Sequence, residues 1–71
     1  MIKKEVKSSN IALIGYDKES KVLEIEFKNG GIYQYFKVPE EEYDDLMKAE
    51  SHGSYFNRNI RNSYKWQKID E

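Results

Sequence analysis

The 71-residue chain has no cysteine, one proline and one histidine. Without cysteine there is no disulfide, no thiolate metal ligand and no thiol nucleophile, so the usual staples of a small secreted scaffold are missing. His52 has no second imidazole to work with, which leaves neither a transition-metal site nor an ordinary catalytic triad to assemble. Its expected place is a solvated loop between helices. No stretch approaches the roughly 20 apolar residues of a membrane span, and the N-terminal "MIKKEVKSSN" has lysines without the apolar core of an export signal. Walker, dinucleotide and nucleophile-elbow glycine patterns are absent. An excess of positive charge is absent too: 12 Lys and Arg stand against 13 Asp and Glu, a formal net charge of -1. A domain that lives by gripping phosphates usually carries a clear positive excess. These absences describe a cytoplasmic, non-catalytic protein with no cofactor, no metal and no membrane contact, in which a nucleic-acid role has to rest on a local patch.

A chain of this length has room for a single domain over residues 1–71 with one modest core, since it buries only about 60% of its extended surface on folding. "IALIGY" from Ile11 to Tyr16 is apolar almost throughout and reads as a strand. After the polar connector "DKES", Leu23, Ile25 and Phe27 alternate with Glu24 and Glu26, so one face of a second strand is packed and the other is wet. "KNGG" carries a hairpin signal, and Ile32 to Phe36 makes a third strand. The expectation is an α+β fold: a three-stranded antiparallel meander with two short helices packed on one face. The first helix should run from Pro39 to about Glu50, with Tyr43, Leu46 and Met47 on its inner face and Asp44 and Asp45 turned away. A second, capped by Ser51 or Ser54, carries Tyr55, Phe56 and Ile60. The final "YKWQKI" fits a short C-terminal edge strand or an ordered tail. Leu23, Ile25, Phe27, Leu46, Phe56 and Ile60 are the predicted core.

The direction of Tyr33 and Tyr35 depends on the parity of the hairpin loop, because a register shift of one residue exchanges the faces of a strand. A loop of two or four residues sets Phe27 opposite Ile32 and turns both tyrosines out beside Glu24 and Glu26. The three-residue loop Lys28-Asn29-Gly30, with Gly30 left-handed, sets Ile25 against Tyr33 and Leu23 against Tyr35, on the core side. The second arrangement is preferred. Gly30 suits the left-handed position, and a small core gains from two large rings whose hydroxyls reach water at the rim.

Between Ser51 and Ile69 lie Arg58, Arg61, Lys65 and Lys68 together with Tyr55, Phe56, Tyr64 and Trp66, and no acid. Guanidiniums bind phosphate bidentately and rings stack on bases, so Arg58, Arg61, Tyr64, Lys65, Trp66 and Lys68 are the candidate binding residues for single-stranded or looped RNA. The competing explanation is charge complementarity with the acidic first helix plus ordinary solvation, with Trp66 packed on the sheet; the helix acids Glu40, Glu41, Glu42, Asp44 and Asp45 lack the glycine and oxygen spacing of a calcium loop.

Ser8-Ser9, Gly15-Tyr16, "LEIEF", Tyr33-Gln34-Tyr35, Val38-Pro39 and "AESHGSYFNRNIR", in this order, resemble the KTSC domain over about Val6 to Ile69. The resemblance implies a module similar to the C-terminal extension of some lysyl-tRNA synthetases and also found as a stand-alone bacterial or phage protein. Its central tyrosine-any-tyrosine motif corresponds to Tyr33 and Tyr35, and the synthetase company suggests RNA as partner. The alternative partner is a host protein, met by a phage or mobile-element modulator through the acidic helix and the surface aromatics Tyr43, Tyr55, Tyr64 and Trp66.

Overall fold

The computed structural model describes residues 1–69. In chain order the elements are β1 (Lys3–Glu5), β2 (Ile11–Asp17), β3 (Val22–Phe27), β4 (Ile32–Tyr35), α1 (Glu40–Lys48), α2 (His52–Asn59) and β5 (Trp66–Ile69). All neighbouring strands are antiparallel, and the spatial order β1-β2-β3-β4-β5 follows the chain. Both helices are inserted between β4 and β5, and they cover one face of the sheet before the chain returns to its edge.

The α+β class is as expected, but the sheet has five strands, not three. The C-terminal segment takes the strand alternative as β5. The N-terminal β1, "KKE", escapes sequence reasoning because all three residues are exposed and charged, with no apolar alternation to report a buried face. Lysines suit such an edge, since they discourage pairing with another chain. What holds β1 is a side chain reaching across β2. Lys3 lies opposite Gly15, and Gly15 lies opposite Glu24. With no Cβ at Gly15, where one would lie 3.0 Å from Lys3 Cγ, the lysine crosses β2 and bonds Glu24 at 2.5 Å. Gln34 donates to the other Glu24 oxygen at 2.8 Å and accepts from Gln67 at 3.3 Å, so a polar ladder spans the outer face. Burial pushes the Glu24 carboxyl up, but the bonds from Lys3 and Gln34 outweigh it and hold the pKa below the ordinary glutamate range.

The inner face carries the core. Ile14, Leu23, Ile25 and Tyr35 meet Leu46 of α1, Phe56 of α2 and Ile60 just beyond it, with Ile11 and Val38 closing the ends. Five of the six predicted core residues are buried; Phe27 is only half-buried, because it stands at the end of β3 where the helices no longer cover the sheet. The hairpin takes the three-residue loop: Phe27 N donates to Gly31 O, Gly30 N to Phe27 O, and Gly30 has φ 98°. Ile25 therefore faces Tyr33 and Leu23 faces Tyr35.

Helix α1 begins one residue later than predicted, with Pro39 extended (φ -65°, ψ 151°) as the capping residue, and ends at Lys48. In α2 the cap is Ser51, whose hydroxyl accepts from Ser54 N at 3.2 Å. His52 is not in a solvated loop: it opens α2 half-buried, with Nδ1 2.9 Å from Leu46 O, and so ties the two helices. Glu42 makes a second tie, accepting from Tyr55 OH at 2.7 Å and from Tyr64 OH at 3.1 Å. Tyr16 stacks on Tyr43 with ring centroids 4.8 Å apart and donates its hydroxyl to Val38 O.

Two outcomes follow from this packing. Phe56→Ala should cost about 3–5 kcal/mol in urea denaturation, and Phe27→Ala, at the half-buried rim, clearly less. Burial and the Glu42 carboxylate raise the Tyr55 and Tyr64 pKa values. A phenol so raised stabilises the fold fully below about pH 10 and progressively less as pH climbs above it, because the unfolded chain then loses the proton more readily. Thermal denaturation should show stability falling above about pH 10, with a shallower fall in the Tyr55→Phe, Tyr64→Phe double variant. Tyr16 and Tyr35, also raised, leave a residual slope.

Candidate functional site

The register that turns Tyr33 and Tyr35 inward also fixes what stands beside them. Tyr33 pairs with Lys68 and Tyr35 with Trp66, so four side chains of β4 and β5 share the helix-covered face. Helix α2 covers only part of it. Past Phe56 the sheet is uncovered, and an open groove of about 470 Å³ lies there.

Its floor is a chain of rings. Trp66 leans on Tyr33 (centroids 5.5 Å), Tyr33 meets Phe27 edge-on (5.6 Å), Phe27 meets Phe56 (5.7 Å) and Phe56 meets Tyr35 (5.2 Å). Its rim is polar: Asn10, Asn29, Asn57, Asn62 and Arg61, with no carboxylate among the described lining residues. Local structure places each of these. Asn29 sits in the hairpin turn and accepts from Gly31 N at 3.0 Å. Asn10 is seated against the start of α2, which approaches closely because residue 53 is glycine; a Cβ there would lie 2.6 Å from Asn10 Oδ1. Asn57 lies on the last turn of α2, and Arg61 and Asn62 follow the helix end.

Tyr35 is 4% exposed, and burial raises its pKa, partly offset by the Arg61 guanidinium. Among the described residues, neither Tyr33 nor Tyr35 gives its hydroxyl to a partner, whereas Tyr16, Tyr55 and Tyr64 all do. The motif pair is thus half core and half lining: the rings pack, and both residues border the groove.

The sequence-predicted candidates divide. Arg61 and Trp66 line this groove, and Trp66 is 54% exposed. Lys68 borders a second, shallower opening with Tyr33 at the hairpin end. Lys65 is exposed in the turn leading into β5, where its carbonyl accepts from Phe36 N. Arg58 lies on the other side of α2, with Tyr55 and Asn59. Three positions separate the arginines, but α2 ends at Asn59, so the helical spacing that would align them stops short of Arg61. Tyr64 is half-buried with its hydroxyl on Glu42. Charge pairing between this basic segment and α1 is not found among the described residues: Lys3 pairs with Glu24 and Glu26, and Glu42 of α1 meets tyrosines instead. The asparagines are what sequence reasoning missed. The available signal was "FNRNIRN", three asparagines in seven residues, which on its own reads as a helix end. No group of three or more His, Asp or Glu among the described residues is arranged to hold a metal ion, and no helix is long and apolar enough to cross a membrane.

Comparison with known proteins covers nearly the whole of this framework. An uncharacterized protein of Stutzerimonas stutzeri is 38% identical over 66 residues, covering 92% of this chain and 93% of that protein. A lysine-tRNA ligase of Nostoc punctiforme is 38% identical over 61 residues; the match takes in 86% of this chain but only 11% of the ligase. The crystal structure of a KTSC domain protein from Yersinia pestis superposes with a TM-score of 0.94 at 39% identity, covering 97% of both chains. The family model for the KTSC domain matches residues 7–64, from the loop before β2 to the turn before β5, and the chain belongs to the KTSC domain family.

Proposed function

We propose that the domain is a non-catalytic binding module for single-stranded or looped RNA. The observation that carries this reading is the groove: a floor of linked rings, an exposed tryptophan, an arginine, and no carboxylate among the described residues that line it. Net charge is -1, so affinity cannot come from the molecule's overall field and has to come from a surface where the acids are elsewhere. The acids of α1, Glu40, Glu41, Asp44 and Asp45, are exposed on a different element. Arg61, Lys65 and Lys68 would track phosphates along the β5 edge, with Arg58 meeting the strand as it passes α2. Stacking would fall to Trp66 and not to Tyr64, whose ring is tied down through Glu42. The matched segment within a lysine-tRNA ligase, a protein whose name places it with tRNA, supports the same partner class.

Docking of a host protein on α1 is the second reading, and the exposed acids of that helix favour it. Three of the aromatics it would recruit are already engaged inside the domain, Tyr43 against Tyr16 and Tyr55 and Tyr64 on Glu42. That leaves Trp66, on the edge strand β5.

The test is a salt titration. With three or four phosphates engaged, log affinity for a single-stranded RNA should fall against log salt with a slope near -2 to -3. Arg58→Ala with Arg61→Ala should make that slope shallower by about 1.4 while the fold, judged by circular dichroism, is unchanged. Asp44→Asn with Asp45→Asn should leave RNA binding equal or slightly stronger. Absence of salt-dependent binding at low ionic strength, or indifference to the arginine pair, overturns the proposal. Weakened capture of a purified protein partner in the aspartate variant would then put the second reading first.

A further inference from the structure

Four of the chain's five asparagines, Asn10, Asn29, Asn57 and Asn62, open on one groove. Two have their side-chain oxygens committed: Asn29 to Gly31 N, Asn10 to the Ser8 hydroxyl. Asn57 and Asn62 are exposed and, among the described residues, make no side-chain hydrogen bond, so each offers a carboxamide with donor and acceptor side by side. Asn59, the fifth, donates to Tyr55 O on the far side of α2. A surface that only gripped phosphates would present cations. This one presents a single guanidinium, planar amides and ring faces, which is the equipment for reading the edge of a planar heterocycle.

We infer that the groove takes one unpaired RNA base, stacked on Trp66, its edge read by Asn57 and Asn62 and its phosphate held by Arg61. The inference rests on the RNA-binding reading and adds that recognition is of a base and not of the backbone alone. A double helix would not serve, since its bases are stacked inside and the major groove of A-form RNA is too narrow for side chains to enter. A volume of about 470 Å³ suits one nucleotide and not a folded element. Trp66 has one side against Tyr33 and more than half its surface open, so a base can lie on it without displacing the sheet. The free hydroxyls of Tyr33 and Tyr35 add donors deeper in the groove, beside Arg61. Among bases, adenine is the best match, because an asparagine amide pairs with its N6 and N7 at once.

Trp66 is the only tryptophan, so its emission reports the groove directly. The full chain is titrated at low salt with end-labelled oligoadenylate, oligouridylate and abasic oligomer, each about six nucleotides long. Label anisotropy gives binding and tryptophan fluorescence gives stacking. Oligoadenylate should quench Trp66 and bind about tenfold or more tighter than the abasic oligomer, the range expected for stacking one base. Trp66→Leu should remove that difference. Asn57→Ala with Asn62→Ala should erase the preference for adenylate over uridylate and leave abasic binding unchanged. Equal affinity for oligoadenylate and abasic oligomer, or binding with no change in Trp66 emission, overturns the base site and leaves RNA binding through phosphates standing. Failure of every oligomer to bind overturns both.

Discussion

A left-handed glycine at position 30 lets β3 turn into β4 through an odd number of loop residues, and the two faces of the sheet are assigned by that parity. With three residues in the turn, Leu23, Ile25, Tyr33 and Tyr35 share the side that the helices cover. One residue fewer would send both tyrosines to the side of Glu24 and Gln34. It would strip the core of its largest buried ring and put hydroxyls where Lys3, Glu24, Gln34 and Gln67 now form their ladder. The pairing of Tyr35 with Trp66 then sets Trp66, not Gln67, in the ring floor of the groove. Core and outer ladder follow from that one turn, and the β4–β5 pairing adds the candidate site on the inner face.

The six tyrosines divide the labour of a small domain. A chain of this length has few aliphatic residues to spare, and a tyrosine fills volume while keeping a polar end that has to be satisfied. Tyr16, Tyr55 and Tyr64 satisfy theirs internally, on Val38 O and Glu42, and so tie β2, α1, α2 and the approach to β5 together. Tyr43 stacks on Tyr16. Only the central pair, Tyr33 and Tyr35, packs its rings and leaves its oxygens toward an open groove. Tyr16, Tyr55 and Tyr64 thus differ from the central pair in where the hydroxyl ends.

What the sequence made legible is what periodicity and turn chemistry report. The alternation of Leu23, Ile25 and Phe27 identified the inner face, Gly30 favoured the correct loop, and the start of α2 was narrowed to Ser51 or Ser54, of which Ser51 is the cap. The N-terminal strand was illegible because its stability comes from Lys3 crossing bare Gly15 to Glu24, a contact between residues far apart in sequence with no local trace. His52 was misplaced for a different reason: its partner, the Leu46 carbonyl, is close in sequence but reached only through the angle at which α2 follows α1. At the site, the cationic and aromatic residues were visible as a composition. Their division between the two sides of α2 depends on the helix stopping at Asn59, and the convergence of Asn10 and Asn29 on Asn57 and Asn62 is made by the fold alone.

The central claim is the register between β3 and β4, and nuclear Overhauser contacts across that hairpin test it most directly. The account predicts cross-strand contacts from Ile25 to Tyr33 and from Leu23 to Tyr35, with the Tyr33 ring also in contact with Trp66. Contacts pairing Phe27 with Ile32, with the Tyr33 and Tyr35 rings close to the Glu24 and Glu26 side chains, would contradict it.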